Sequence, residues 1–248
     1  MQLSAPLVVH QFDELDSTQS EAKRRIDAIE FAPCWILASV QLAGRGRSGK
    51  TWISSKGNYL ASLVLPWKDV STSPKMSFVT GLALFDSFEE LGLKGLALKW
   101  PNDVLVDGHK IAGILLECHK QHLIIGVGVN IAEPPMSASL DSRALPPIAL
   151  SQLTDCKLDR FHSLFEGKLI TRITQYHSFG FDVIKQAVAS RLWARAEMVY
   201  ENGSSSDIVR VLGIDDDGSL IIDGSKGRQK VMAGDFYPAK EGRDASGN

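Results

Sequence analysis

The sequence is poor in several features that would direct a reading. It has three cysteines, Cys34, Cys118 and Cys156, widely spaced and without a C-x-x-C pair. That excludes a disulfide framework and the usual zinc spacings. It fits reduced thiols in a cytoplasmic protein, each a small apolar core residue by default. No charged-then-apolar leader pattern opens the chain, and no apolar run approaches the ~20 residues of a membrane span, so no membrane role is expected. Charge of one sign is also lacking. The formal net charge is −2, so no whole-protein basic field argues for nucleic acid, though local basic sites stay open. There is no internal repeat and no low-complexity tract. What is present suits a globular protein: 248 residues with 44% hydrophobic content can build one large domain, or a large and a small one.

The densest stretch runs from Gln41 to Trp52, where Gly44, Gly46 and Gly49 alternate with Arg45, Arg47 and Lys50. Glycines let backbone approach a ligand, and arginine forks suit carboxylate and phosphate, so the segment reads as an anion-holding loop. Gly44 to Thr51 also spells a complete P-loop, G-x-x-x-x-G-K-T. A P-loop must open a helix whose N-terminus binds the phosphates. Here residues 52–58 are short and rich in turn formers, and Tyr59 to Leu65 reads as a strand stopped by Pro66. With Trp35 to Val40 before the loop, the order is strand, loop, strand, which argues against a P-loop NTPase.

Along the chain, Leu7 to Phe12 reads as a first strand and Asp13 to Ser17 as a polar break. Ser17 or Thr18 caps the next helix, with Glu21 near a capping-box position and Ala22, Ile26 and Ile29 on one face. The segment Asp16 to Gln19 is either a plain cap or a ligand-facing one. From Lys75 the period becomes helical through Met76, Val79, Leu82, Ala83, Phe85, Phe88 and Leu91, with Gly92 as C-cap. Short strands follow: one ended by Pro101, then Val104 to Val106, a hairpin at Asp107-Gly108, Lys110 to Glu117, and His122 to Ile131. This antiparallel run contradicts the alternating rhythm of a doubly wound sheet. Glu133 to Pro147 is loop, Ser151 to Arg195 is predominantly helical with a break near Gly180, and Glu201 to Asp207 is a turn. Ile208 to Leu212, Leu220 to Ile222 and Gln229 to Met232 then read as strands of a small all-β module. At about 50 residues it is expected to pack on the main domain.

Four motifs in register carry a family resemblance. Gly44-Arg45-Gly46-Arg47 with Gly49 and Trp52, Lys99 to Asp103, Lys110 to Glu117, and Gly126 to Ile131 resemble the motif series of biotin–protein ligases. Asp16-Ser17-Thr18 resembles the family's biotin-facing segment, and the C-terminal module its SH3-like domain. The resemblance implies an α+β fold: a mixed, largely antiparallel sheet with helices, like class II aminoacyl-tRNA synthetases, plus a small C-terminal SH3-like β-barrel. It implies a catalytic domain at residues 1–196, the β domain at 197–240 and a disordered tail at 241–248. The implied activity converts biotin and ATP to biotinyl-5′-AMP and pyrophosphate. Biotin then passes to a lysine of a biotin carboxyl carrier protein, typically of acetyl-CoA carboxylase.

By resemblance, Lys110 and Arg47 are catalytic, and Arg45 to Arg47 hold the biotin carboxylate and adenylate phosphate. Ser17, Thr18, Gln19, Gln41, Gly44, Gly46 and Gly113 join them at the biotin or biotinyl-adenylate, and Trp52 and Asn130 join the arginines at ATP. The chemistry agrees. Joining a carboxylate to a phosphate needs fixed positive charge, hydroxyls and amides suit a ureido head, and an ordered loop would keep water from a mixed anhydride. Taken alone, Lys110 is a solvated lysine beside a turn, Gly113 is equally a packing glycine, and Trp52 is equally a core residue. Trp100 reads as structural. The phosphates imply Mg²⁺, with Asp103 and Asn130 as candidate contributors to metal ligands that the sequence leaves unknown.

Two departures stand out: Gln19 where the family usually has asparagine, and Lys50 where arginine is usual, which loses bidentate geometry. With no room before Leu7 for an N-terminal DNA-binding domain, the expectation is a ligase without direct DNA binding. The family also allows a homodimer. The alternatives are a ligase for another carboxylate such as lipoate, a P-loop NTPase, and a non-catalytic biotin-binding module. Retention of Arg47 and Lys110 argues against the last.

Overall fold

The strand-rich middle of the chain folds into one half of a seven-stranded sheet. The computed structural model describes residues 3, 6–28, 33–53, 55–136, 145–194, 197–202 and 205–239. Across the sheet the order is β1 (Val8–Leu15), β2 (Cys34–Gln41), β3 (Tyr59–Pro66), β7 (His122–Val129), β6 (His109–His119), β5 (Asp103–Val106) and β4 (Leu96–Lys99). Only β1 and β2 run parallel, joined by the crossover helix α1 (Thr18–Asp27); every other pairing is antiparallel.

Side-chain alternation along the strands sorts the two faces. Trp35, Leu37, Leu63, Leu65, Leu123 and Ile125 belong to the main core, with residues of α2 (Lys75–Glu90), α3 (Leu158–Phe179) and α4 (Phe181–Ala189). The residues between them, Ile36, Val64 and Ile124, face the other way and pack on Ala22 and Ile26 of α1. Further along that second face the registers Gly113↔Gly128, Leu115↔Gly126 and Glu117↔Ile124 place two facing glycines beyond the N-terminal end of α1.

The second sheet is fully antiparallel, in the order β11 (Gly227–Val231), β10 (Leu220–Gly224), β9 (Ser205–Ile214), β8 (Met198–Asn202), β12 (Asp235–Pro238). Its apolar residues Met198, Val209, Leu220, Ile222 and Phe236 continue the main core. Trp100 stitches the sheets together: its indole meets Phe236 edge-on at 5.7 Å and donates to the Gly218 carbonyl at 3.1 Å.

Several expected boundaries shift. The first strand continues to Leu15, because an edge strand tolerates the polar Asp13 and Glu14. Ser17 is the cap, accepting from the Gln19 N–H, while Glu21 pairs with Arg24 and Arg25 instead of closing a capping box. Helix α3 begins at Leu158, not Ser151, and α4 stops at Ala189. The turn expected over Glu201 to Asp207 is strand on both sides of residues 203–204, and β8 and β12 add two unanticipated strands. Ile29, residues 137–144 of the proline-rich loop and the 241–248 tail lie outside the described residues. Among the described residues no helix is long and apolar enough to cross a membrane.

One polar cluster is sealed in the main core. Glu166 is 4% exposed and accepts from Trp35 Nε1 at 2.8 Å and the Leu7 N–H at 3.0 Å. Beside it, Tyr59 Oη and His162 Nδ1 are 2.8 Å apart; burial pushes the Tyr59 phenol up and the His162 imidazole down, so both stay neutral. Glu166→Ala leaves the buried Trp35 Nε1 and the half-buried Leu7 N–H without an acceptor. It is expected to destabilise the fold by about 3 kcal/mol, read as a lower urea midpoint; an unchanged midpoint would contradict this account of the core.

Candidate functional site

A cavity of about 590 Å³ opens on the sheet face where α1 ends, and the N-terminus of that helix forms its polar recess. Ser17, Thr18 and Gln19 are all buried there. Gln41 Oε1 accepts from the Thr18 N–H at 2.8 Å and from Thr18 Oγ1 at 3.1 Å, and Ser62 Oγ donates to Thr18 Oγ1 at 2.8 Å. Gln19 Nε2 donates to the Leu115 carbonyl at 2.9 Å. A Cβ on Gly126 would stand 2.6 Å from that nitrogen, so Gln19 fits only because residue 126 has no side chain.

The glycine–arginine segment forms the cover. Its arms are joined by the Gly46 N–H to Lys50 carbonyl bond at 2.7 Å and the Trp52 N–H to Gly44 carbonyl bond at 2.9 Å. Between them Arg47–Gly49 makes a single 3₁₀ turn, with Ser48 (φ 53°) and Gly49 (φ 74°) left-handed. Among the described residues no helix opens at Lys50 and the next strand begins at Tyr59, so the P-loop spelling has no P-loop structure behind it. Trp52 comes down on the facing glycines: a Cβ would stand 2.9 Å from the indole at Gly113 and 2.3 Å at Gly128.

Cations gather in the cavity beside this indole. Lys110 Nζ lies 5.4 Å from the Trp52 ring centroid and 2.8 Å from Asp103 Oδ1. Arg47 is half-buried and donates to Asn102 Oδ1 at 3.3 Å, while Asn102 Nδ2 donates to the Ile114 carbonyl at 2.7 Å. Burial pushes the Arg47 pKa down, with Asp103 and Asp235 opposing the shift; a guanidinium remains charged regardless. Asn130 donates to the carbonyls of Ile148 and Lys110. Gln19 Oε1, Trp52 Nε1 and Asn130 Oδ1, on three residues lining the cavity, are buried without a hydrogen-bond partner among the described residues. Buried polar atoms of this kind mark where a ligand is to be received.

Of the residues singled out from sequence, Ser17, Thr18, Gln19, Gln41, Arg45, Gly46, Arg47, Trp52, Lys110, Gly113 and Asn130 line the cavity. Gly44 does not; it is buried at the root of the loop, where its carbonyl holds Trp52. The Arg45 guanidinium is bound bidentately by Glu117 at 3.2 and 2.9 Å. Sequence reasoning missed Lys99, Asn102, Asp235 and Tyr237, which also line the cavity. The last two come from β12, and Asp235 pairs with Lys50 at 3.1 Å. The Lys99-to-Asp103 motif was the available signal for the first two. Among the described residues no group of three or more His, Cys, Asp or Glu is placed to hold a metal ion.

Residues 14–130 match the biotin/lipoate A/B protein ligase family, and residues 203–237 match the biotin protein ligase C-terminal domain. The biotin–[acetyl-CoA-carboxylase] ligase of Paracoccus denitrificans is 35% identical over 236 residues, covering 90% of this chain and 97% of that protein. The chain belongs to the biotin protein ligases. A bifunctional ligase/repressor of Bacillus subtilis is 28% identical to this ligase, over 93% of this chain and 73% of that one. The Aquifex aeolicus ligase solved with biotin and ATP superposes with a TM-score of 0.74 at 25% identity, over 93% of this chain and 97% of that one.

Among the described residues Lys99 is the one buried cation of the ligase. It is 8% exposed, its Nζ is 5.9 Å from the Tyr237 ring centroid, and burial pushes its pKa down despite Asp103 and Asp235. The downward shift means that the ammonium is less comfortable here than in water. Lys99→Met is therefore expected to raise the stability of the ligand-free protein by about 1 kcal/mol in urea unfolding. A clear loss of stability would mean that the ammonium holds the cavity together.

Proposed function

We propose that this ligase activates biotin with ATP and passes it to a lysine of a biotin carboxyl carrier protein, the acetyl-CoA carboxylase subunit. A carboxylate oxygen of biotin attacks the α-phosphorus of ATP. The bond from that phosphorus to the bridging oxygen breaks, and pyrophosphate leaves with the electron pair. The neutral amine of the acceptor lysine then attacks the acyl carbon of biotinyl-5′-AMP, AMP departs, and the amine proton goes to solvent. Catalysis of the first step needs fixed positive charge where two anions meet.

The observation that carries the reading is the placement of Arg47 and Lys110 on one cavity, Lys110 over the Trp52 indole, beside a recess of buried hydroxyls and amides. We assign Lys110 to the reacting carboxylate and α-phosphate and Arg47 to the phosphate. Ser17, Thr18, Gln41 and the open Gln19 Oε1 are assigned to the ureido head, where Gln19 in place of asparagine reaches one methylene further. Trp52 on Gly113 supplies the apolar wall, and Gly44 and Gly46 let the loop fold over it. Asn130 is assigned to ATP. Residues 1–196 are taken as the catalytic domain and 197–240 as the SH3-like module, supported by the separate family matches at 14–130 and 203–237.

Mg²⁺ fits as an ion carried by the phosphates of ATP, since no three-carboxylate cage exists among the described residues. Asn130 Oδ1, buried and without a partner, would hold it, with Asp103 behind Lys110 as a second oxygen donor. When bound, the ion neutralises phosphate charge. The cytoplasm is the proposed compartment, supported by three free cysteines.

Pyrophosphate–ATP exchange tests the proposal. Exchange is expected with biotin, and exchange driven by lipoate instead would promote the other carboxylate. Lys110→Ala is expected to lower exchange roughly a hundredfold or more with an unchanged circular dichroism spectrum. Unchanged exchange in that variant would place the reacting centre elsewhere.

A further inference from the structure

The two arginines of the cover have different surroundings. Arg47 sits in the 3₁₀ turn at the tip and faces the cavity, touching Asn102. Arg45 sits at the root, opposite Thr51 in an isolated bridge; it too borders the cavity, but its guanidinium is held by Glu117 in a bidentate pair. Glu117 does not line the cavity. It lies on β6 four residues beyond Gly113, on the same face of the sheet. Its Oε1 also accepts from Lys23 Nζ at 3.0 Å. One carboxylate therefore joins three parts: the cover through Arg45, the sheet through β6, and through Lys23 the helix α1 that carries Ser17, Thr18 and Gln19.

We propose that Glu117 is a positioning residue for the ligation: through Arg45 it fastens the root of the loop to the sheet, so that Arg47 at the tip meets the anion. This rests on the function proposed above and divides the labour of the loop's arginines. Arg45 acts through its carboxylate partner, whereas Arg47 touches the reactant. Parallel N–H···O bonds fix direction as well as distance, which is what a hinge needs. With side-chain exposures of 39% and 22%, the pair lies within reach of solvent, so the expected effect of losing it is modest.

The test is a double-mutant cycle on the full chain with Glu117→Gln, Arg45→Gln and both together, read by biotin-dependent pyrophosphate–ATP exchange. Each single variant and the double are expected to raise KM for ATP by the same factor, about threefold to fivefold, with kcat little changed. Glu117→Asp is expected to recover part of the loss. Lys23→Gln, which leaves the bidentate pair, is expected to change KM less. If Arg45→Gln lowers kcat strongly while Glu117→Gln does not, Arg45 contacts the reactants and the proposal is overturned. A second readout needs no substrate: tryptic cleavage after Arg47 or Lys50 is expected to be faster in Glu117→Gln. Cleavage at the parental rate would overturn the fastening role even if biotin failed to support exchange, a failure that would count against the function instead.

Discussion

Two facing residues without side chains, Gly113 on β6 and Gly128 on β7, decide where everything else in the site can stand. Any larger residue at 128 would meet the Trp52 indole at 2.3 Å. Because both positions are bare, the indole lies against the sheet, and the loop bearing it is drawn over the cavity. Lys110 then takes up its place over the ring, between Trp52 and Asp103. Gly126 repeats the device one pair along, admitting Gln19. The recess for a neutral polar head and the ring of cations are thus set by one strip of missing Cβ atoms. The alternation of the strands keeps that strip on the face opposite the main core.

The second constraint is charge. Arg47, Lys99 and Lys110 converge on one cavity, which is unfavourable without anions. Asp103 and Asp235 temper this, opposing the downward push that burial gives the Arg47 and Lys99 pKa values. Asp235 lies in the second sheet, so that sheet contributes to the electrostatics of the site as well as to its wall.

Much of this was legible in the sequence because it rests on local rules. The strand at Tyr59 and the turn formers before it ruled out a P-loop helix, and Asp107-Gly108 marked the hairpin leading into Lys110. The site residues came instead from the family resemblance, and Ser17, Thr18, Gln41, Arg47 and Lys110, so picked out, come together around one cavity. What escaped depends on distant partners. Glu117 pairs with residues 72 and 94 positions away, and nothing in its neighbourhood signals that. Lys99 looks like any lysine until Tyr237 of β12 covers it. Strand β12 is short and pairs with the distant β8, so no turn announces it, whereas β8 pairs with β9 across residues 203–204 and was hidden because the whole of Glu201 to Asp207 reads as turn. The start of α3 was set too early because Leu153 to Lys157 continue a polar–apolar mixture without a breaker.

On the proposed function, the cover retains an acyl-adenylate until a carrier lysine arrives. Rapid-mixing measurement of pyrophosphate release, with biotin and ATP but no carrier domain, addresses it directly. The account predicts a burst of about a single equivalent per chain followed by near-arrest, and renewed release on adding the carrier domain. Steady release without the carrier would contradict retention, and no biotin-dependent release would contradict activation itself.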